Sequence, residues 1–249
     1  MPPLCLHLGV AREAGLHPGF PVRESQLGYF YLGATAPDAR LLTGASRAAT
    51  HFFDFARDEP QSSVEAFFAA YPALRRSAVS YCTRAFVAGY VSHLITDELW
   101  IMDVYRPCFG RCSPLAESPE ADMLDRALQY ELDRRERADP SAMAAIRDRI
   151  IRAEAAPEVD LLPSPAVEQW REFVALATTR EPSWERFRLF AERFLISTAK
   201  IDSEQLRAFL RELPAQLDRT LRLVTEERMD GFRSKSVRQT IELTWEYMS

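Results

Sequence analysis

Of 249 residues only four are cysteine, nine are glycine and four are histidine, and Lys200 and Lys235 are the only lysines. Each shortage closes off a class of protein. Cys5, Cys82, Cys108 and Cys112 form no spaced disulfide framework, which fits a reduced, cytoplasmic compartment. Cys108-Phe109-Gly110-Arg111-Cys112 supplies half of a zinc knuckle without a second half, so free thiols in a loop are expected there. No uninterrupted apolar run approaches the roughly 18–20 residues that span a bilayer, so no transmembrane segment is expected. Met1 to His7 shows neither the basic stretch nor the long apolar stretch of an export signal. A glycine-rich phosphate loop, a Gly-x-Ser-x-Gly elbow and a dinucleotide fingerprint are all missing. A net charge of −5 and a pI of about 5.5 give a poor footprint for duplex nucleic acid.

Alternating β-type patterns are scarce as well; helical periodicity fills their place. Leu206, Phe209, Leu210, Leu213, Leu217, Leu221 and Val224 make one buried stripe that Pro214 should kink or split. Trp184, Phe187, Phe190 and Phe194 mark a second helix started by Pro182 and Ser183; Val167, Trp170, Phe173, Val174 and Ala177 mark a third. Val237, Ile241, Trp245 and Met248 mark the last. Further helices are expected over 2–14, 22–32, 62–70, 77–106, 119–138 and 141–154, with irregular linkers at Pro107–Pro119 and Pro157–Pro165. The expected fold is a single all-α domain over 1–249. Its chemistry-bearing residues lie in 1–100, and a helical C-terminal extension covers about 164–249.

His93 and Asp97 stand out against this background. Four residues apart on a helix, they stack on one face and aim an imidazole and a carboxylate into one volume, which is half of a divalent-metal site. Helices also carry such pairs by chance, with the histidine satisfied in the core and the acid on a helix face. The company matters: His7, Asp38 and His51 precede the pair, so three of the four histidines fall in one series. His17, in Leu16-His17-Pro18-Gly19, reads as a turn residue. Asp54 reads as a surface or capping residue, and Glu98 points about 100° away from Asp97 on an ideal helix.

The order His7, Asp38, His51, His93, Asp97 resembles the zinc-dependent phospholipase C family, within the phospholipase C/P1 nuclease-like fold. Its specific matches are Gly33-x-x-x-Pro37-Asp38, Thr50-His51, Gly89-Tyr90-x-x-His93-x-x-x-Asp97, and His7 followed by Val10-Ala11. The likeness covers residues 1 to about 100. It implies an all-α multi-helix bundle that hydrolyses phosphoesters with clustered zinc. Asp38, His51, His93 and Asp97 would hold one ion; His7 and Asp97 would contribute to a second, with Asp97 bridging. Asp38 would double as general base. The family's remaining ion uses two more histidines and a glutamate downstream, and no histidine follows His93. Only carboxylates such as Asp103, Glu117 and Glu120 are available there, so one or two ions are expected rather than three.

The expected function is therefore metal-dependent hydrolysis of a phosphoester: a phospholipid head group, a nucleotide or a small phosphoester. A bound divalent metal lowers the pKa of its water and supplies a nucleophile. Zinc suits two histidines and two carboxylates, and manganese or iron suits the carboxylates too. The competing classes are a helical binding or scaffold protein with a degenerate metal site, and a metal enzyme of another reaction type such as an oxygenase. Tyr29, Phe30, Tyr31, Phe52, Phe53 and Phe55 flank the candidate ligands, as pocket wall or as core. Arg134-Arg135-Glu136-Arg137 reads as a solvated helix face rather than a phosphate grip.

Overall fold

The helix that carries His93 and Asp97 has no solvent face over its second half. From Ala85 to Asp97 every residue is buried, which is the pattern of a helix at the centre of a bundle rather than on its surface. The computed structural model describes residues 2–249 except 58, 76–78, 117, 154–156, 158, 182, 186, 190 and 192–201. It is 76% helical and all-α, with no strand among the described residues. No described helix is long and apolar enough to cross a membrane.

In chain order the helices are α1 (Leu4–Gly15), α2 (Leu27–Gly33), α3 (Arg40–Thr43), α4 (Arg47–His51), α5 (Ser63–Ala70), α6 (Tyr81–Leu99), α7 (Arg106–Cys108), α8 (Pro119–Arg137), α9 (Pro140–Arg152) and α10 (Ser164–Ala177). They continue with α11 (Ser203–Arg211), α12 (Leu213–Val224) and α13 (Glu226–Met248). Local chemistry sets many starts. Ser80, Ser118 and Asp139 each accept a hydrogen bond from the backbone N–H three residues on, and Pro119 and Pro140 open their helices where no N–H is needed. Pro214 splits the long apolar stripe into α11 and α12, as its geometry requires.

Three boundaries differ from the sequence reading. The 22–32 helix is a 3₁₀ turn (Glu24–Gln26) followed by α2. The 77–106 helix starts at Tyr81, gives way at Trp100–Tyr105 to a π-helical segment, and resumes as α7. The final helix begins at Glu226, well before Val237, because Thr225 caps it. Trp184 and Phe187 are helical, while Pro182, Phe190 and Phe194 lie outside the described residues.

Around α6 pack α2 on one side and α13 on the other, with α1 across both α6 and α13. The α2–α6 crossing is close because it is made by glycines. A β-carbon on Gly33 would meet Phe86 O at 2.0 Å, and one on Gly89 would meet Phe30 O at 2.0 Å. Residues 164–249 supply walls of this same core. Trp170 Nε1 donates to Thr35 Oγ1 at 3.0 Å, Ser92 and Thr240 hydroxyls meet at 3.1 Å, and Arg84 donates to Tyr247 O at 2.8 Å.

The Arg134–Arg137 run is corrected by the structure. Within α8 Arg135 pairs with Glu131 and Arg137 with Asp133, while between helices Arg135 reaches Glu226 and Arg233 reaches Glu136. The other Asp133 oxygen accepts from Cys5 N at 3.1 Å and so satisfies the start of α1. All four cysteines are free; Cys108 is buried and Cys112 exposed.

Candidate metal centre

Five side chains from four parts of the chain meet beside α6. α1 brings His7, a 3₁₀ turn at Ala36–Ala39 brings Asp38, the last residue of α4 is His51, and α6 contributes His93 and Asp97. His51 Nε2 lies 3.3 Å from His93 Nε2, 3.3 Å from Asp97 Oδ2 and 3.5 Å from Asp38 Oδ1. His93 Nε2 lies 3.7 Å from the same Asp97 oxygen. The second oxygen, Asp97 Oδ1, faces His7 Nε2 at 3.4 Å. Two sets of ligand atoms, from His51, His93 and Asp97 and from His7, Asp38 and His93, lie mutually within 4.8 Å.

The histidine tautomers follow from their outer partners. His93 Nδ1 is 2.9 Å from Ala34 O, which can only accept, so Nδ1 carries a proton. Thr50 Oγ1 donates to Arg47 O at 3.3 Å and accepts from His51 Nδ1 at 2.8 Å. Tyr90 OH holds Thr50 O at 2.7 Å. With Nδ1 so engaged, each ring turns its Nε2 towards the centre. This orienting use of the outer nitrogen is the usual support of metal-ligating histidines. Both ring nitrogens of His7 and Asp97 Oδ1 are buried with no hydrogen-bond partner.

Electrostatics act on three of the five. Burial, and then the neighbouring His7, push the His93 pKa down to about 3. For Asp38 burial works upward, yet the hydrogen bond from His51 and the histidine charges take it down to about 2. Asp97 also lies below the ordinary carboxylate range: burial opposes the shift, but His93, His7 and His51 outweigh it. Of the five, only Asp38 is appreciably open, its side chain 28% exposed against 4% or less for the rest.

The residues set aside in the sequence lie elsewhere. His17 and Asp54 are exposed, and Asp54 Oδ1 accepts from Ala56 N in its own turn. Glu98 accepts from Ser63 N and Oγ at 2.8 and 2.6 Å, so it serves the start of α5. Downstream, Asp103 is held by Lys235 at 2.8 Å and Glu120 by Arg219, while Glu117 lies outside the described residues. Phe30 and Tyr31 are core, whereas Phe55 is 41% exposed and packs under the Arg47 guanidinium, 5.0 Å from its ring centre. A surface groove lined by Glu65, Glu98 and Glu246 contains none of the five.

Arg47 is the participant that sequence reading missed. Its NH2 lies 2.8 Å from Asp97 Oδ2. The signal was present: Arg47 stands four residues before His51, the same one-face spacing as His93 and Asp97.

The chain matches no family model, no curated protein and no solved structure.

Proposed function

We propose that this protein is a metal-dependent phosphoesterase of the phospholipase C/P1 nuclease-like type, with His7, Asp38, His51, His93 and Asp97 holding one or two divalent ions. One observation carries the reading. Three ligand atoms (His51 Nε2, His93 Nε2 and Asp97 Oδ2) face one another at separations of 3.3–3.7 Å, with Asp38 Oδ1 3.5 Å from His51 Nε2. Bonds of 2.0–2.3 Å to one tetrahedral ion put ligands about 3.3–3.7 Å apart. A donor set of imidazole and carboxylate suits zinc, with manganese or iron next.

A bound ion would supply Lewis acidity towards a phosphoryl oxygen and towards water. The protein's own residues do the rest. Asp97 turns one oxygen to His7 and the other to His51, and would hold an ion on either side. Asp38 stands at the open edge with its carboxylate ionised, where it accepts a hydrogen bond from the attacking water and orients it towards phosphorus. Buried α6 and α2 keep bulk water from the other faces.

A second reading rests on Arg47. Its guanidinium on Asp97, together with a proton on His51 Nε2, balances both carboxylates without an ion. The protein would then be a helical binding module on the same scaffold. Elemental analysis of untagged protein separates the two, followed by assay of aryl phosphomonoesters and diesters with and without a strong chelator. The phosphoesterase reading expects bound zinc and chelator-sensitive cleavage. It also expects Asp97→Asn, which removes the bridging charge at nearly constant shape, to abolish both with helix content unchanged. A metal-free, inactive protein supports the binding module.

A further inference from the structure

Arg47 already stands where an ion would have to bind. Its NH2 lies 2.8 Å from Asp97 Oδ2, the same oxygen that is 3.3 Å from His51 Nε2 and 3.7 Å from His93 Nε2. Arg47 opens α4 and His51 ends it, so one turn of helix brings the guanidinium alongside that ring. The other oxygen, Asp97 Oδ1, is buried without a hydrogen-bond partner, as is the His7 Nε2 in front of it. The two sides of Asp97 therefore differ: among the described residues a guanidinium meets only one of them.

A divalent ion and a guanidinium on one carboxylate oxygen repel each other, and with Asp97 buried little solvent screens them. Arg47 is the partner that can leave. Its side chain is 21% exposed, against 4% or less for His51, His93 and Asp97. Its guanidinium already stands over the exposed Phe55 ring, which Phe53 and Tyr105 brace edge-on. An outward swing can keep that cation–π contact. The backbone need not move with it, so Arg47 O still accepts from Thr50 Oγ1 and the support of His51 is preserved.

We propose that Arg47 is a built-in counter-ion for Asp97, which a divalent cation must displace to occupy the His51–His93 side. This rests on the metal centre of the phosphoesterase reading and adds its regulation. The guanidinium stabilises the metal-free protein and sets a level of free metal below which that side stays closed. The His7 side has no such guard, so the two sides load unequally.

The test uses the full chain and two readouts: zinc affinity by competition with a chromophoric chelator, and the urea midpoint with strong chelator present. Arg47→Met removes the charge at similar length. It should bind zinc at least about tenfold more tightly, the lower end of what a hydrogen bond to a charged group contributes. Its metal-free midpoint should fall, because a buried carboxylate has lost its cation. Arg47→Gln should shift both readouts in the same directions, and it stands in if Arg47→Met does not fold without metal. Arg47→Lys keeps the charge and should stay closer to wild type than to Arg47→Met. The gain in affinity should persist in a His7→Ala background, where the ion that remains sits on the guarded side. Unchanged or weaker zinc binding by Arg47→Met and Arg47→Gln overturns the swap and leaves the metal centre standing, with Arg47 as a supporting donor to a ligand. Tighter zinc binding with an unchanged metal-free midpoint overturns the counter-ion role. Zinc taken up by Arg47→Met but not by wild type supports the swap and overturns the phosphoesterase reading of the wild-type protein. No zinc in any form overturns the swap and the metal centre together.

Discussion

His7 lies flat on His93, with ring centroids 3.7 Å apart and planes 11° from parallel. The stack ties α1 to α6 at the level of Asp97, and it sets His7 against a charge on His93. Burial first, and His7 second, hold His93 neutral far below its ordinary pKa of 6.5.

In the metal-free protein this gives stability a defined pH dependence. An unfolded chain protonates His93 as pH falls through about 6.5, whereas the folded chain does so only near 3. The unfolded state therefore binds more protons across that window, and stability falls with falling pH. Asp38, protonated near 3.8 when unfolded and near 2 when folded, extends the loss below 3.8. Urea midpoints measured with chelator present should decline steadily from pH 7 to 3. A midpoint that is level over that range would contradict the neutral, buried state of His93.

His7→Ala should lower the number of bound ions without emptying the centre. His7 faces Asp97 Oδ1 while His51 and His93 face Oδ2, so its loss strips one side only. Elemental analysis should give one ion in the variant where wild type holds two, and never three in either. Identical counts would place His7 outside the ligand set.

Thr50→Val tests the tautomer argument. The change is close in shape but removes the oxygen that accepts from His51 Nδ1. Zinc affinity should fall about 10- to 100-fold, the usual loss when a ligand's outer hydrogen bond is removed. Competition with a chromophoric chelator reads the change, and circular dichroism should show intact helices. A wild-type affinity would mean that His51 is oriented by packing alone.

Gly89→Ala should destabilise by about 1–3 kcal/mol or more, because the added carbon meets Phe30 O at the α2–α6 crossing and backbone cannot step aside cheaply. Thermal unfolding measures it. The same shift carries Ala34 O away from His93, so zinc affinity should weaken along with stability.

Sequence spacing made part of this site legible. The four-residue interval of His93 and Asp97 and the all-helical periodicity needed only local geometry. The convergence of His7, Asp38 and His51 on that pair depended on family likeness, since nothing in their spacing fixes a tertiary contact. Arg47 went unread although its interval to His51 obeys the same rule, because a lone arginine beside Ala48 and Ala49 looks like ordinary helix surface. The π-helical segment after Leu99 leaves no compositional mark; the register there is settled by packing of buried Trp100, Ile101 and Val104. The Arg134–Arg137 run misled for a related reason: its partners, Glu226 and Arg233, are some ninety residues away or more, beyond the reach of pattern reading.

The indole of Trp170 sets a lower bound on how much chain this centre requires. A fragment ending at residue 163 would keep every candidate ligand. It would lose the donor to Thr35, the hydroxyl of Thr240 beside Ser92, and the carbonyl of Tyr247 that anchors Arg84. Thr35 lies three residues before Asp38 and Ser92 directly before His93, so truncation would loosen two ligands from behind. Any attempt to transplant the five-residue cluster into another scaffold must therefore carry the far helices too: residues 1–100 are not a separable cassette.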